Sequence, residues 1–198
     1  MTELKHLIID LETLGLASDC VVLSLGATVF TFETDRPNDY GQYVLDGFYV
    51  KFDARDQVAR WKRTMDDDTI EWWRGQPEDA RAVTRPSPVD VPLLEGMDQF
   101  NTWIRQSGYN WKDSFVWSRG TYFDFPKLEH IYKQIGIKPG YNGWKIRDTK
   151  TYCDVLTGGN SGVYRPKTTP TEFIKHHALH DAALDAYRLV ELFQLHAS

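Results

Sequence analysis

The chain has 198 residues, 41% hydrophobic and 26% charged, the balance of a globular protein long enough to bury one sizeable core. Its net charge of −5 at pH 7 excludes the broad basic footprint of a general nucleic-acid binder. Cys20 and Cys153 stand alone without a CxxC spacing, which excludes a disulfide framework and a zinc site and fits a reducing cytoplasm. No signal peptide is expected. The apolar run at 21–30 is interrupted by Ser24, Gly26 and Thr28 and is too short to span a bilayer.

In chain order, strand-like runs occupy 5–12, 20–33 and 43–53. The breakers in "ETDRPNDYG" (33–41) read as a hairpin loop or a longer excursion. Three early strands with connections too short for helices predict an antiparallel meander. Helical patterns follow. "DDTIEWWRG" opens on a capping box with Asp68 as N-cap and Glu71 three residues on. "EGMDQFNTWIRQSG" carries Met97, Phe100, Trp103 and Ile104 at helical spacing and ends at Gly108. "DSFVWS" (113–118) is a short strand. "FPKLEHIYKQIG" is a helix with Pro126 in its first turn. "RDTKTYCDVLTGG" is another helix, ending in glycines, and 159–171 is a loop with the composition of a mobile segment. The last helix runs from about 173 to 195, with Leu179, Ala182, Ala183, Ala186, Val190 and Phe193 inward. This predicts one α/β domain over 1–198. Three strands followed by alternating helices and strands is the order of an RNase H-like mixed sheet, antiparallel in its first three strands and flanked by helices.

Acids recur where a core would reject them. In "LIIDLETLG" (7–15) Asp10 and Glu12 interrupt an apolar strand. Residues i and i+2 share a strand face, so the two carboxylates project together, about 6–7 Å apart. They repel, and burying them uncompensated is costly. Magnesium or manganese would relieve both problems; an edge strand with its acids in solvent is the plainer alternative. Asp124, between Phe123 and Phe125 just before the helix of Pro126, reads either as an N-cap or as an aspartate in an aromatic pocket that needs a partner. "KHHALHDAALDAYRL" (175–189) holds His176, His177, His180, Asp181 and Asp185. His-x4-Asp occurs in it twice, as His176–Asp181 and His180–Asp185. The small residues around Asp181 favour the first register, and Asp185 is left to pair with Arg188 at i,i+3.

Together these clusters resemble the DEDDh branch of the DnaQ-like 3′–5′ exonucleases, which includes proofreading exonucleases, RNase T and oligoribonuclease. The nearer resemblance is to the phage exodeoxyribonuclease A group and related bacterial exoribonuclease-like domains. It rests on "TIEWWRGQPEDAR" (69–81), "RGTYFDFPKL" (119–128), "IRDTKT" (146–151) and "FIKHHALHD" (173–181), and spans essentially the whole chain. It implies a single exonuclease domain in which Asp10, Glu12, Asp124 and Asp181 hold two ions, Mg²⁺ or Mn²⁺, and His176 is the general base. His180 and Asp185 are held in reserve. Asp148 is implied as structural support, and Thr13 with the backbone at Leu14 as the seat of the terminal 3′-OH.

Two metal ions roughly 3.5–4 Å apart clamp the attacking and leaving oxygens of a phosphodiester, and a histidine of near-neutral pKa suits removal of the water's proton. Trp72 and Trp73 are about 100° apart on a helix. One belongs in the core and the other is a candidate to stack on a terminal base; Trp73 is taken as that candidate, with both in the core or at a surface patch as the plainer reading. The expected substrate is the 3′ end of single-stranded DNA, released as nucleoside 5′-monophosphates. RNA is the first alternative, an inactive RNase H-like binding module the second, and a phosphohydrolase of small nucleotides the third. No membrane partner is expected, and the oligomeric state stays open, a homodimer included.

Overall fold

The computed structural model describes residues 4–33, 37–167 and 170–197. Its centre is β1 (His6–Thr13), flanked on both sides by other strands. Leu7, Ile8 and Ile9 are at most 1% exposed, as expected for the middle strand of a sheet covered on both faces. β2 (Val22–Phe30) pairs antiparallel with β1, setting Asp10 opposite Gly26 and Glu12 opposite Ser24. Beyond β2 lies β3 (Phe48–Lys51), also antiparallel. On the other side β4 (Val116–Ser118) and then β5 (Ile146–Asp148) run parallel to β1, giving the order β3-β2-β1-β4-β5. This is the expected RNase H-like mixed sheet.

Eight α-helices are found among the described residues: α1 (Tyr40–Leu45), α2 (Ala54–Trp61), α3 (Asp67–Arg74), α4 (Glu78–Arg81), α5 (Leu93–Gln106), α6 (Thr121–Ile135), α7 (Thr149–Thr157) and α8 (Ala178–Ala197). Alternation along β1 sorts them into layers. Leu7, Ile9 and Leu11 enter one core with Met97, Phe100 and Ile104 of α5 and Phe125, Leu128 and Ile131 of α6. Ile8 enters another with Ala182, Ala186, Leu189 and Val190 of α8 and Cys153 of α7. By the same parity Asp10 and Glu12 face the α8 side. Among the described residues no helix is long and apolar enough to cross a membrane.

Several local expectations are corrected. The run at 43–53 is a strand only at Phe48–Lys51, and α1 precedes it, so the first three strands are antiparallel but not a simple meander. Tyr40, Tyr43 and Val44 are spaced i, i+3, i+4 and pack on Ala183 and Leu184 of α8, a helical pattern hidden among residues that also favour strands. Residues 34–36 of the excursion and 168–169 of the 159–171 loop lie outside the described residues. The N-cap of α3 is Asp66, whose carboxylate accepts the Thr69 N–H at 2.8 Å; Asp68 lies inside the helix and Glu71 pairs with Arg74. Three consecutive aspartates left the cap ambiguous.

α6 begins five residues before Pro126, so that proline sits inside the helix, beyond its first turn. The start is set from afar: Asp148 accepts the Gly120 and Thr121 N–H groups at 3.0 Å each, supplying the cap that the local sequence lacks. The same Asp148 closes β5 and caps α7 through the Thr151 N–H at 2.7 Å. The stretch 147–159 is therefore strand end, cap and helix, and not one helix. α8 starts at Ala178, five residues later than expected, leaving His176 outside it with φ 59°.

Candidate active site

One glycine brings the acid-bearing elements together. Gly26 lies opposite Asp10 on β2. A Cβ there would fall 2.0 Å from the Leu179 nitrogen and 2.1 Å from the Ala178 carbonyl carbon. Only glycine lets the first turn of α8 rest directly on β2, and that turn carries Asp181. Buried Ala178 and Ala182 complete the close approach.

The approach groups Glu12, His176 and Asp181 so that one donor atom of each lies within 4.8 Å of the others. Asp10, Glu12, His176 and Asp181 line a cleft of about 350 Å³ with Arg119, Lys175, Asp185 and Arg188. Asp124 does not reach the cleft wall; it lies beneath, 1% exposed, in the first turn of α6. Its Oδ1 and the Oδ2 of Asp181 are buried without a hydrogen-bond partner.

So much carboxylate in one place is costly to ionise. Burial pushes Asp10 well up, helped by the charges of Asp124, Glu12, Asp181 and Asp185. Burial, then Asp181 and Asp124, raise Glu12 likewise. Burial lifts Asp124 to about 7, against the opposing pull of Ser118 and Lys127. Burial and the neighbouring Asp185 lift Asp181 to about 7. Orphaned carboxylate oxygens, hard donors and mutual repulsion are what a divalent-cation site requires, so these residues fit such a group.

The histidines separate cleanly. The ring of His176 meets Trp72 edge-on, with centroids 5.0 Å apart. Burial, with Lys175 nearby, lowers its pKa, favouring the neutral imidazole that a base or a metal ligand needs. His180 is tied elsewhere: its Nδ1 lies 2.6 Å from the Tyr40 hydroxyl. His177 stacks on Tyr49 with centroids 4.2 Å apart, while its carbonyl accepts the Asp181 N–H at 2.9 Å.

Two substrate-contact expectations change. Trp73 is 3% exposed and its indole N–H donates to the Thr13 carbonyl at 2.9 Å, so it is the core member of the pair that clamps the turn after Glu12. Trp72, 46% exposed, is the ring available for stacking. The Leu14 backbone is committed within the protein, its N–H to the Val21 carbonyl and its carbonyl to the Asp66 N–H; only its side chain faces outward, into a cavity of about 320 Å³ shared with Ile70, Trp73, Arg74, Arg81, Thr84 and Arg85. Thr13 is buried and donates its hydroxyl to the Gly15 carbonyl at 2.8 Å. Asp148 has the supporting place described above. Gly26 and Arg119 have no role predictable from the sequence, while Asp185, the reserve ligand, pairs with both Arg188 and Arg119. The repeated His-x4-Asp spacing marked Asp185; nothing local marked the other two.

A mixed five-stranded sheet with acids gathered where its central strand meets the last helix defines a DnaQ-like 3′–5′ exonuclease, a phosphodiester hydrolase. The family described as 3′-5′ exoribonuclease Rv2179c-like domain matches residues 5–192, and the chain belongs to it. It is also 30% identical over 194 residues to the exodeoxyribonuclease of Enterobacteria phage T4, covering 90% of this chain and 84% of that one. Among solved structures, the nuclease domain of 3′hExo, a DEDDh family member bound to rAMP, matches with TM-score 0.57 and 13% identity over 96% of this chain and 93% of its own. Cell-death related nuclease 4 gives 0.58 and 13% over 95% and 64%, and exonuclease I gives 0.55 and 11% over 98% and 46%. At such identities the structures speak for the fold alone.

Proposed function

We propose that the chain degrades single-stranded DNA from its 3′ end, releasing nucleoside 5′-monophosphates, with Asp10, Glu12, Asp124 and Asp181 holding two divalent cations, Mg²⁺ or Mn²⁺, and His176 as general base. The observation that carries this reading is the pair of orphaned buried oxygens on Asp124 and Asp181 beside the Glu12–His176–Asp181 grouping. When bound, the cations supply positive charge to the attacking and leaving oxygens and acidify the water. The four carboxylates bind and orient that charge. The neutral His176 ring, held at the cleft by Trp72, takes the proton of the attacking water at its free ring nitrogen. Thr13, buried and tied to Gly15 through its hydroxyl and to Trp73 through its carbonyl, shapes the turn beside Glu12 against which a terminal 3′-OH would rest. Arg74, Arg81 and Arg85 line the cavity beyond Leu14, and of these Arg74 and Arg85 pair with Glu71 and Glu78, which leaves Arg81 as the guanidinium offered to the strand there.

The similarity to a phage exodeoxyribonuclease supports DNA. The description of the family as exoribonuclease supports RNA as the second reading. One gel decides: 5′-labelled DNA and RNA oligonucleotides of the same sequence, with Mg²⁺ and with EDTA. A metal-dependent 3′ ladder stronger on DNA is expected. A stronger ladder on RNA overturns the sugar preference. Cleavage of circular single strands at a comparable rate overturns exonucleolytic polarity. No ladder, with binding retained or with hydrolysis of small nucleotides alone, overturns the reading itself.

A further inference from the structure

The cleft holds cations as well as acids, and the exonuclease reading leaves them unused. Arg119 and Arg188 line it together with Asp10, Glu12 and Asp181. Asp185 keeps them there. It stands one turn beyond Asp181 on α8, 4% exposed. Its Oδ1 receives Arg188 Nη1 at 2.6 Å and Arg119 Nη1 at 3.3 Å, and its Oδ2 accepts the Thr149 hydroxyl at 3.3 Å. Arg119 is gripped a second time, Nη2 donating to the Gly162 carbonyl at 3.0 Å.

This arrangement is more than a neutral ion pair. Two guanidinium groups share one carboxylate, which leaves one positive charge in excess. Each guanidinium carries five N–H donors. The bonds above use two on Arg119 and one on Arg188, and the Nε of Arg188 is buried without any partner. A buried donor without an acceptor is costly until one arrives. Both side chains stay partly open, 27% for Arg119 and 21% for Arg188. Fixed, forked donors with spare valence suit a tetrahedral oxyanion, and above all a phosphate.

We propose that Arg119 and Arg188, steadied by Asp185, hold the non-bridging oxygens of the phosphodiester under attack. This rests on the exonuclease reading. In that hydrolysis the water oxygen bonds to phosphorus, the bond to the 3′-oxygen of the neighbouring nucleotide breaks, and that oxygen leaves to be protonated. The phosphate therefore stays on the released nucleotide as its 5′-monophosphate, so the arginine pair grips the same group before and after cleavage. Asp185 is a positioning residue; the two arginines touch substrate.

The test is equilibrium binding to the full chain at saturating Mg²⁺, with AMP and dAMP each compared with its nucleoside. The wild type is expected to bind each monophosphate more tightly than its nucleoside. Arg119→Ala and Arg188→Ala should each cut that phosphate advantage about tenfold or more and leave nucleoside binding unchanged. Arg119→Lys, which keeps the charge but loses the fork, should recover part of it. A phosphate advantage that survives both alanine variants overturns the proposal. So does a parallel loss of nucleotide and nucleoside binding, the mark of a purely structural role. If Arg119→Ala does not fold, Arg119→Gln and Arg188→Gln are read by the same criterion. The wild-type oligonucleotide ladder, run alongside, keeps the two ideas apart. Its absence defeats the exonuclease reading, whereas a ladder with an unmoved phosphate advantage defeats only the arginine pair.

Discussion

Asp124→Asn should stabilise the metal-free protein while abolishing its activity. In the wild type, burial lifts the Asp124 carboxyl from 3.8 to about 7. The folded-state pKa is thus above the unfolded one, and the folded form holds the proton more tightly. The group costs nothing below about pH 4; its cost grows as pH rises through this window and is complete above about 7. A shift of about three pH units, at about 1.4 kcal/mol each, sets an upper limit on the order of 4 kcal/mol. Relaxation around α6 and entry of water reduce this, and a gain of about 1–3 kcal/mol is expected for the neutral amide at pH 8, which for a chain of this size is several degrees in Tm. Thermal melting in EDTA at pH 8 and pH 5 measures it. The advantage of the variant should fall by about half at pH 5, where the wild-type carboxyl is protonated in the folded state. Added Mg²⁺ at pH 8 should raise the wild-type Tm more than that of the variant, because only the wild type gains a counter-charge for Asp124. An Asn variant less stable than wild type at pH 8 without metal, or an advantage indifferent to pH, would refute the reasoning.

His176→Ala should lower the rate by about 10²–10⁴-fold at saturating Mg²⁺, while His180→Ala, which loses its contact with Tyr40, keeps most of it; steady-state rates on one oligonucleotide decide, and the reverse order would mean that the other register carries the chemistry. Trp73→Ala should cost about 3–5 kcal/mol of stability in chemical denaturation, as for a buried ring, whereas Trp72→Ala should leave stability nearly unchanged and raise KM several-fold through a lost stacking contact of about 1–3 kcal/mol. Gly26→Ala drives a methyl into the backbone of Leu179 and should cost about 1–3 kcal/mol or more. Its exonuclease rate should fall more than tenfold as α8 carries Asp181 away from Asp10. Wild-type activity with normal stability would show that α8 tolerates the shift.

The acids were legible in the sequence because their signal is local. Strand parity alone puts Asp10 and Glu12 on one face, and neither suits the apolar strand that carries them. The helical stripe of α8 was equally readable, and so was the later alternation of helices and strands, whereas α1 and α2 were not. Where local chemistry was ambiguous, long-range contacts decided. Three aspartates in a row can each cap α3, and only the packing around Leu14, whose carbonyl takes the Asp66 N–H, selects the first. The start of α6 depends on Asp148, more than twenty residues downstream. Adjacent tryptophans differ in role because the Thr13 carbonyl lies within reach of Trp73 and not of Trp72. Gly26 reads as a mere interruption in an apolar run until the first turn of α8 is seen resting on it. Asp185 and Arg119, far apart in sequence, acquire a joint meaning only as ion-pair partners in the cleft. Hydropathy and propensity are properties of neighbours along the chain; close approach and charge pairing are properties of neighbours in space, and tertiary structure alone supplies them.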